Sequence, residues 1–141
     1  MDIYEEAVLK YISEKHTRFV NPQYALKWDK TEEIGGSLPD YVVLDIEEQY
    51  VYIVEVSKAS NIDALCKKVK DKNKNWIQPI KKLFPEPYCN WSFHVTIFIR
   101  EENVDKTNLL FQENDVSVIS LKQVNNFLGN LDYDSTCPLK L

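Results

Sequence analysis

The stretch Gly35–Lys58, GGSLPDYVVLDIEEQYVYIVEVSK, decides how the chain folds. Two runs rich in β-branched and aromatic residues, Tyr41–Ile46 and Tyr50–Val56, are joined by the polar link Glu47, Glu48 and Gln49, the pattern of a β-hairpin. Two carboxylates at the open end of this hairpin, one beside each run, are foreign to an apolar strand. Asp40 follows Pro39 at the mouth of the first, and Glu55 lies between Val54 and Val56 near the end of the second. An acid buried in such a run must be paired, hydrogen-bonded or bound to a cation, because burial strips the hydration that stabilises its charge. Asp40 and Glu55 are therefore the first candidate site.

Working outward, residues Asp2–Lys15 read as a helix, with Tyr4, Ala7, Val8, Tyr11 and Ile12 at three- and four-residue intervals. At about 100° per residue, Glu5 and Glu14 fall at opposite edges of the apolar stripe and Glu6 on its far side. An edge carboxylate reaches over the sheet the helix covers, which makes Glu5 the best placed of the three. Asn21–Asp29, NPQYALKWD, suggests a first strand with Tyr24, Leu26 and Trp28 at period two, and Lys30–Leu38 a polar connection.

After Lys58 the period becomes helical, with Ile62, Leu65, Cys66, Val69, Trp76, Ile77, Ile80 and Leu83 on one stripe. Asn61 or Asp63 supplies a cap, and Pro79 predicts a kink or break near Gln78 because it lacks a backbone donor. Trp91–Arg100, WSFHVTIFIR, is a further strand, in which His94 is expected to be structural. Asp115–Ser120 reads as another strand, Lys122–Leu131 as a last helix, and the final ten residues as a loosely held tail. A crossover helix between strands demands a parallel pair, so the expected fold class is α/β, a mixed central sheet flanked by helices.

The 141 residues suit one domain, with a core over about residues 2–100, a strand-helix extension over about 115–131 and a tail over 132–141. No uncharged apolar run approaches a membrane span, and Met1 leads into the charged stretch DIYEEAVLKYISEK, so a cytoplasmic protein without membrane association is expected. Cys66, Cys89 and Cys137 are odd in number and widely spaced, which favours neither a disulfide framework nor zinc. The net charge is −5, yet Lys58, Lys67, Lys68, Lys70, Lys72, Lys74, Lys81 and Lys82 crowd one segment against only Asp63 and Asp71. Such segregation creates a local field for phosphate, or forms the solvated face of one helix.

Taken together, Pro39-Asp40, the hairpin and Glu55-Val56-Ser57-Lys58 resemble the PD-(D/E)XK nuclease superfamily, the restriction-endonuclease-like fold. The resemblance spans roughly Asp2–Arg100 and implies a helix-strand-strand-strand-helix-strand core with an extra C-terminal strand and helix. It implies a metal-dependent endonuclease acting on DNA, with Asp40 and Glu55 as ligands of Mg²⁺ or Mn²⁺, Glu5 as the helical acid and a lysine that positions the attacking water. Mg²⁺ takes oxygen ligands and binds through one or two carboxylates plus substrate phosphate, so two acids at neighbouring strand ends suffice.

The family lysine stands two places after the acid, where this sequence has Ser57, and Lys58 is displaced to the third place. On an ideal strand Glu55 and Ser57 share a face and Lys58 points to the other. Either a bulge returns Lys58 to the site, or Lys67 or Lys68 replaces it, or catalysis is lost. Lys67, Lys68, Lys70 and Lys74 are the candidate backbone contacts, sequence-independent and salt-sensitive. A homodimer or a larger protein partner would bring so small a nuclease to both strands. The other reading is a non-catalytic interaction, immunity or subunit protein on the same fold, favoured by the acidic composition and the displaced lysine.

Overall fold

The computed structural model describes residues 2–22, 39–129 and 141. Among them the fold is α/β, a five-stranded mixed sheet with helices on both faces. Helix α1 (Ile3–Ser13) begins with a capping box. The Asp2 carboxylate accepts from the Glu5 N–H at 2.8 Å and the Glu5 carboxylate accepts from the Asp2 N–H at 2.9 Å, which satisfies two amides that lack helical partners. Strand β1 (Arg18–Pro22) follows, then the hairpin of β2 (Tyr41–Asp45) and β3 (Tyr50–Val56). Gln49 takes a φ of 58° to close its turn.

The strand expected over Asn21–Asp29 thus starts earlier, at Arg18, and residues 23–29 lie outside the described residues, as do the Lys30–Leu38 connection and Trp28. The weak alternation after Asn21 masked the stronger reason for an earlier start. Arg18 pairs with Asp45 across the sheet, and that partner is distant in sequence.

The stripe after Lys58 forms α2 (Asp63–Lys70), a π-helical turn over Asn73–Ile77 and α3 (Gln78–Leu83). Pro79 follows the junction at which the π-helical turn passes directly into α3, with Ile77 and Gln78 both in helical geometry, so the helix changes its hydrogen-bond pattern near Gln78 where a kink or break was expected. The Asn61 side chain accepts from the Asp63 N–H at 2.9 Å and turns the chain into α2. Strand β4 (Ser92–Ile99) leads into α4 (Glu101–Leu110), then β5 (Val116–Ser120) and α5 (Leu121–Gly129).

Helix α4 has no counterpart in the sequence reading. Its apolar residues are few, and Asn103 and Thr107 fill its buried positions. It is held by polar contacts instead: the Asn103 amide donates to the carbonyls of Ala59 and Ser60, at 3.4 and 3.1 Å.

The strands lie in the order β1-β2-β3-β4-β5, antiparallel across the first two junctions and parallel across the last two. Alternation along β3 sends Val51 and Ile53 to one face, with Val69, Trp76 and Ile80, and Tyr52 and Val54 to the other, with Val8, Tyr11 and Ile12. Each fully buried aliphatic side chain in these two layers contributes roughly 1.5–3 kcal/mol. Leu141 is buried in the α1 layer, against the expectation of a loose terminus, because its apolar side chain gains more from that layer than from water. Residues 130–140 lie outside the described residues. No helix among the described residues is long and apolar enough to cross a membrane.

Candidate metal-binding carboxylate site

The hairpin register places the two acids. Tyr41 lies opposite Val54, so one step further brings Asp40 opposite Glu55, on the face covered by α2. The Val56 N–H donates to the Asp40 carboxylate at 2.7 Å and fixes it at the mouth of β2. Glu55 is 7 % exposed, although one neighbour in β3 is Val54 and its parallel partner in β4 is Ile97, both fully buried. Asp40 and Glu55 are within hydrogen-bonding reach of each other.

Two facing acids in an apolar frame hold on to protons. Burial, then the Asp40 charge beside it, pushes Glu55 from its ordinary 4.5 to about 8, with Lys68 pulling weakly the other way. Burial also raises Asp40; the Val56 N–H opposes that rise and the neighbouring Glu5 adds to it. Glu5 is brought there by the first turn of α1. Its backbone carbonyl accepts from the Tyr41 hydroxyl at 2.7 Å, which pins the helix end over the start of β2. The structure therefore brings together Asp40, Glu55 and Glu5, and among the described residues neither Asp40 nor Glu55 has an ion-pair partner.

The lysines divide differently. Lys58, two residues past the end of β3, lies on the α1 side, its ammonium 5.7 Å from the centre of the Tyr4 ring. Lys68, on α2, is the lysine whose charge acts on Glu55. Lys67 and Lys70 line a cavity between α2 and α4, and Lys74 is exposed in the π-helical turn. A separate cleft of about 650 Å³ is lined by Asp2, Val56, Ser57, Lys58, Ser60, Asn61 and Arg100; it shares with the acid pair only Val56, whose N–H donates to Asp40. The Arg100 guanidinium donates to the Lys58 carbonyl and approaches Glu102 at 3.5 Å. Sequence reasoning passed over Arg100 as the end of a strand. The signal was its place just past the C-terminal end of the strand parallel to the one bearing Glu55.

His94 lies toward the other end of β4, on the α1 face, with its Nε2 2.7 Å from the Ser117 hydroxyl and its ring edge-on to Tyr52. Burial lowers its pKa, which leaves the ring neutral near pH 7.

A hard divalent cation suits the donor set at the hairpin mouth. Two converging carboxylates that repel when ionised lose that penalty when a cation lies between them. Among the described residues no group of three or more His, Cys, Asp or Glu forms a metal cage, and Mg²⁺, which keeps several waters, does not need one. No family model matches the chain, no curated protein matches it, and no solved structure matches it.

Proposed function

We propose that the chain is a metal-dependent endonuclease on a PD-(D/E)XK-type core, hydrolysing phosphodiester bonds in DNA. The observation that carries the reading is the pair Asp40 and Glu55, face to face at the hairpin mouth with raised pKa values and, among the described residues, no ion-pair partner. Supporting it are the element order from α1 to β4, the neighbouring Glu5 and the cationic cleft formed by Lys58 and Arg100.

Asp40 and Glu55 would hold Mg²⁺, or Mn²⁺ in its place, which when bound polarises the phosphoryl oxygen and lowers the pKa of a bound water. Glu5 lies beside Asp40 and adds negative charge at the site. Lys68 favours the ionised form of Glu55 and is, of the candidate lysines, the one that acts on the acid pair. Lys58 and Arg100, on the wall of the cleft, would neutralise the phosphate flanking the scissile bond. Hydrolysis then adds water across the P–O bond, with the new oxygen on phosphorus and the proton on the departing sugar oxygen.

The direct test is cleavage of supercoiled plasmid and of short single-stranded DNA with Mg²⁺, with Mn²⁺ and with EDTA. Metal-dependent cutting that both Asp40→Ala and Glu55→Ala abolish is the expected result. No cutting, together with no heat of Mg²⁺ or Mn²⁺ binding by calorimetry, would replace the nuclease by a non-catalytic protein of the same architecture.

A further inference from the structure

Helix α4, the element the sequence did not announce, forms one wall of a cavity of about 460 Å³ whose other wall is α2. Its floor is apolar, with Ile62, Cys66 and Leu110, and its rim carries Lys67 and Lys70 from α2 and Lys106 from α4. Among the described residues none of these three ammoniums is held in an ion pair, and the one carboxylate on the lining is Asp63. Lys70 and Lys106 converge on one place, since the charges of both act on the Cys66 thiol between them. Three exposed, like-charged side chains around one concavity repel one another, and an anion lying among them relieves that repulsion.

Position on α2 gives the groove a direction. Lys67 and Lys70, three residues apart, share the side facing α4, while Lys68, a step of about 100° round the helix, acts on Glu55. The N-terminal turn of α4 is fastened by Asn103 to the loop Ala59–Ser60, which leaves the strand that carries Glu55. The groove and the carboxylate pair thus share one helix and one loop.

We infer that the groove between α2 and α4, rimmed by Lys67, Lys70 and Lys106, binds the phosphodiester backbone of a DNA strand that extends past the carboxylate pair. The inference rests on the nuclease reading for its ligand and adds to it a second contact region, with Lys106 as a residue no sequence motif indicated. Backbone binding of this kind carries no base preference and is strongly salt-dependent.

The test compares two double variants of equal charge, Lys67→Ala/Lys106→Ala in the groove and Lys10→Ala/Lys122→Ala on α1 and α5, each made in Asp40→Ala protein so that no strand is cut. All four lysines are exposed, so each variant is expected to fold. Binding of a fluorescein-labelled oligonucleotide is followed by anisotropy over a range of KCl concentrations. The groove variant is expected to bind on the order of tenfold more weakly, with the slope of log K against log salt reduced by roughly 0.9 per lost contact, and the control to change little. Equal effects of the two variants, or no DNA binding by the parent protein, overturn the groove. The nuclease reading is judged separately by metal calorimetry and plasmid cleavage. A groove that binds DNA in a chain that neither binds metal nor cuts would stand while the nuclease reading fell, and a cutting enzyme indifferent to the groove variant would show the reverse.

Discussion

The two ends of the β2–β3 hairpin each carry a buried acid, and they treat it in opposite ways. At the turn, Asp45 is fully buried, yet the chain surrounds it with donors: Arg18 Nε at 3.3 Å, Lys15 Nζ at 3.1 Å and the Glu48 N–H at 3.1 Å. Burial alone would raise its pKa, but those partners outweigh it and hold the carboxyl below its ordinary range. At the mouth, Asp40 and Glu55 face each other, and burial raises both; the Asp40 charge adds to the rise at Glu55, while at Asp40 the added rise comes from Glu5 and the hydrogen bond with Glu55 opposes it. One end is neutralised from within the chain. The other takes its neutralising charge from protons, and a metal ion is the proposed replacement. A pKa lowered by internal cations fits an acid that holds the fold together, whereas a facing pair with raised pKa values fits the ligand site proposed for Asp40 and Glu55.

The sharpest way to break this contrast is substitution at the two ends. On the nuclease reading, Asp40→Ala or Glu55→Ala is expected to reduce cleavage on the order of 10³-fold, with no loss of thermal stability, measured by plasmid nicking and calorimetric Tm. Asp45→Ala is expected to do the opposite. It leaves Arg18, 9 % exposed, without its carboxylate and lowers stability by about 3–5 kcal/mol in urea denaturation. Equal destabilisation by both kinds of substitution would erase the distinction.

The pH dependence sharpens it further. Below about 4.5 Glu55 is protonated in both the folded and unfolded chain; between 4.5 and about 8 the folded chain keeps a proton that the unfolded chain has lost. Stability therefore falls as pH rises through that window, by roughly 3–5 kcal/mol in all, and Glu55→Gln is expected to flatten the slope. Asp45 has the reverse sign. Its lowered pKa contributes stability above its ordinary 3.8 that is lost as pH falls through the folded value, so Asp45→Asn is expected to weaken the acid limb of the profile. Because a metal must displace the carboxyl protons, Mg²⁺ affinity is expected to rise with pH over the window in which Glu55 titrates.

The smallest effect concerns Glu5. Glu5→Gln preserves the capping box, since Gln also accepts from the Asp2 N–H, but removes a negative charge from beside Asp40. Helix stability should hold, while the pH midpoint of metal binding shifts downward. An unchanged midpoint would separate Glu5 from the site.

Much of this was legible before any coordinates. The hairpin followed from two β-branched runs and a short polar link, because strand and turn preferences act over a few residues. Asp40 and Glu55 stood out because a carboxylate in an apolar run is costly wherever that run folds. Strand parity offered one of the alternatives for Lys58, the side away from Glu55, and the place of its ammonium over the Tyr4 ring agrees with that one.

Other features depended on partners far apart in the chain. Helix α4 escaped notice because polar bonds from Asn103, to a loop more than forty positions earlier, replace the apolar stripe that announces a helix. The start of β1 at Arg18 depended on Asp45, and the burial of Leu141 on the α1 layer. The sequence by itself determined the local elements and the identity of two unusual acids, because propensity and burial cost are properties of short segments. Only the tertiary structure decided that those acids face each other with no ion-pair partner among the described residues, that the Lys68 charge acts on Glu55 while Lys58 lies over Tyr4, and that Lys106 joins Lys67 and Lys70, because charges separated in sequence interact only where the fold brings them together.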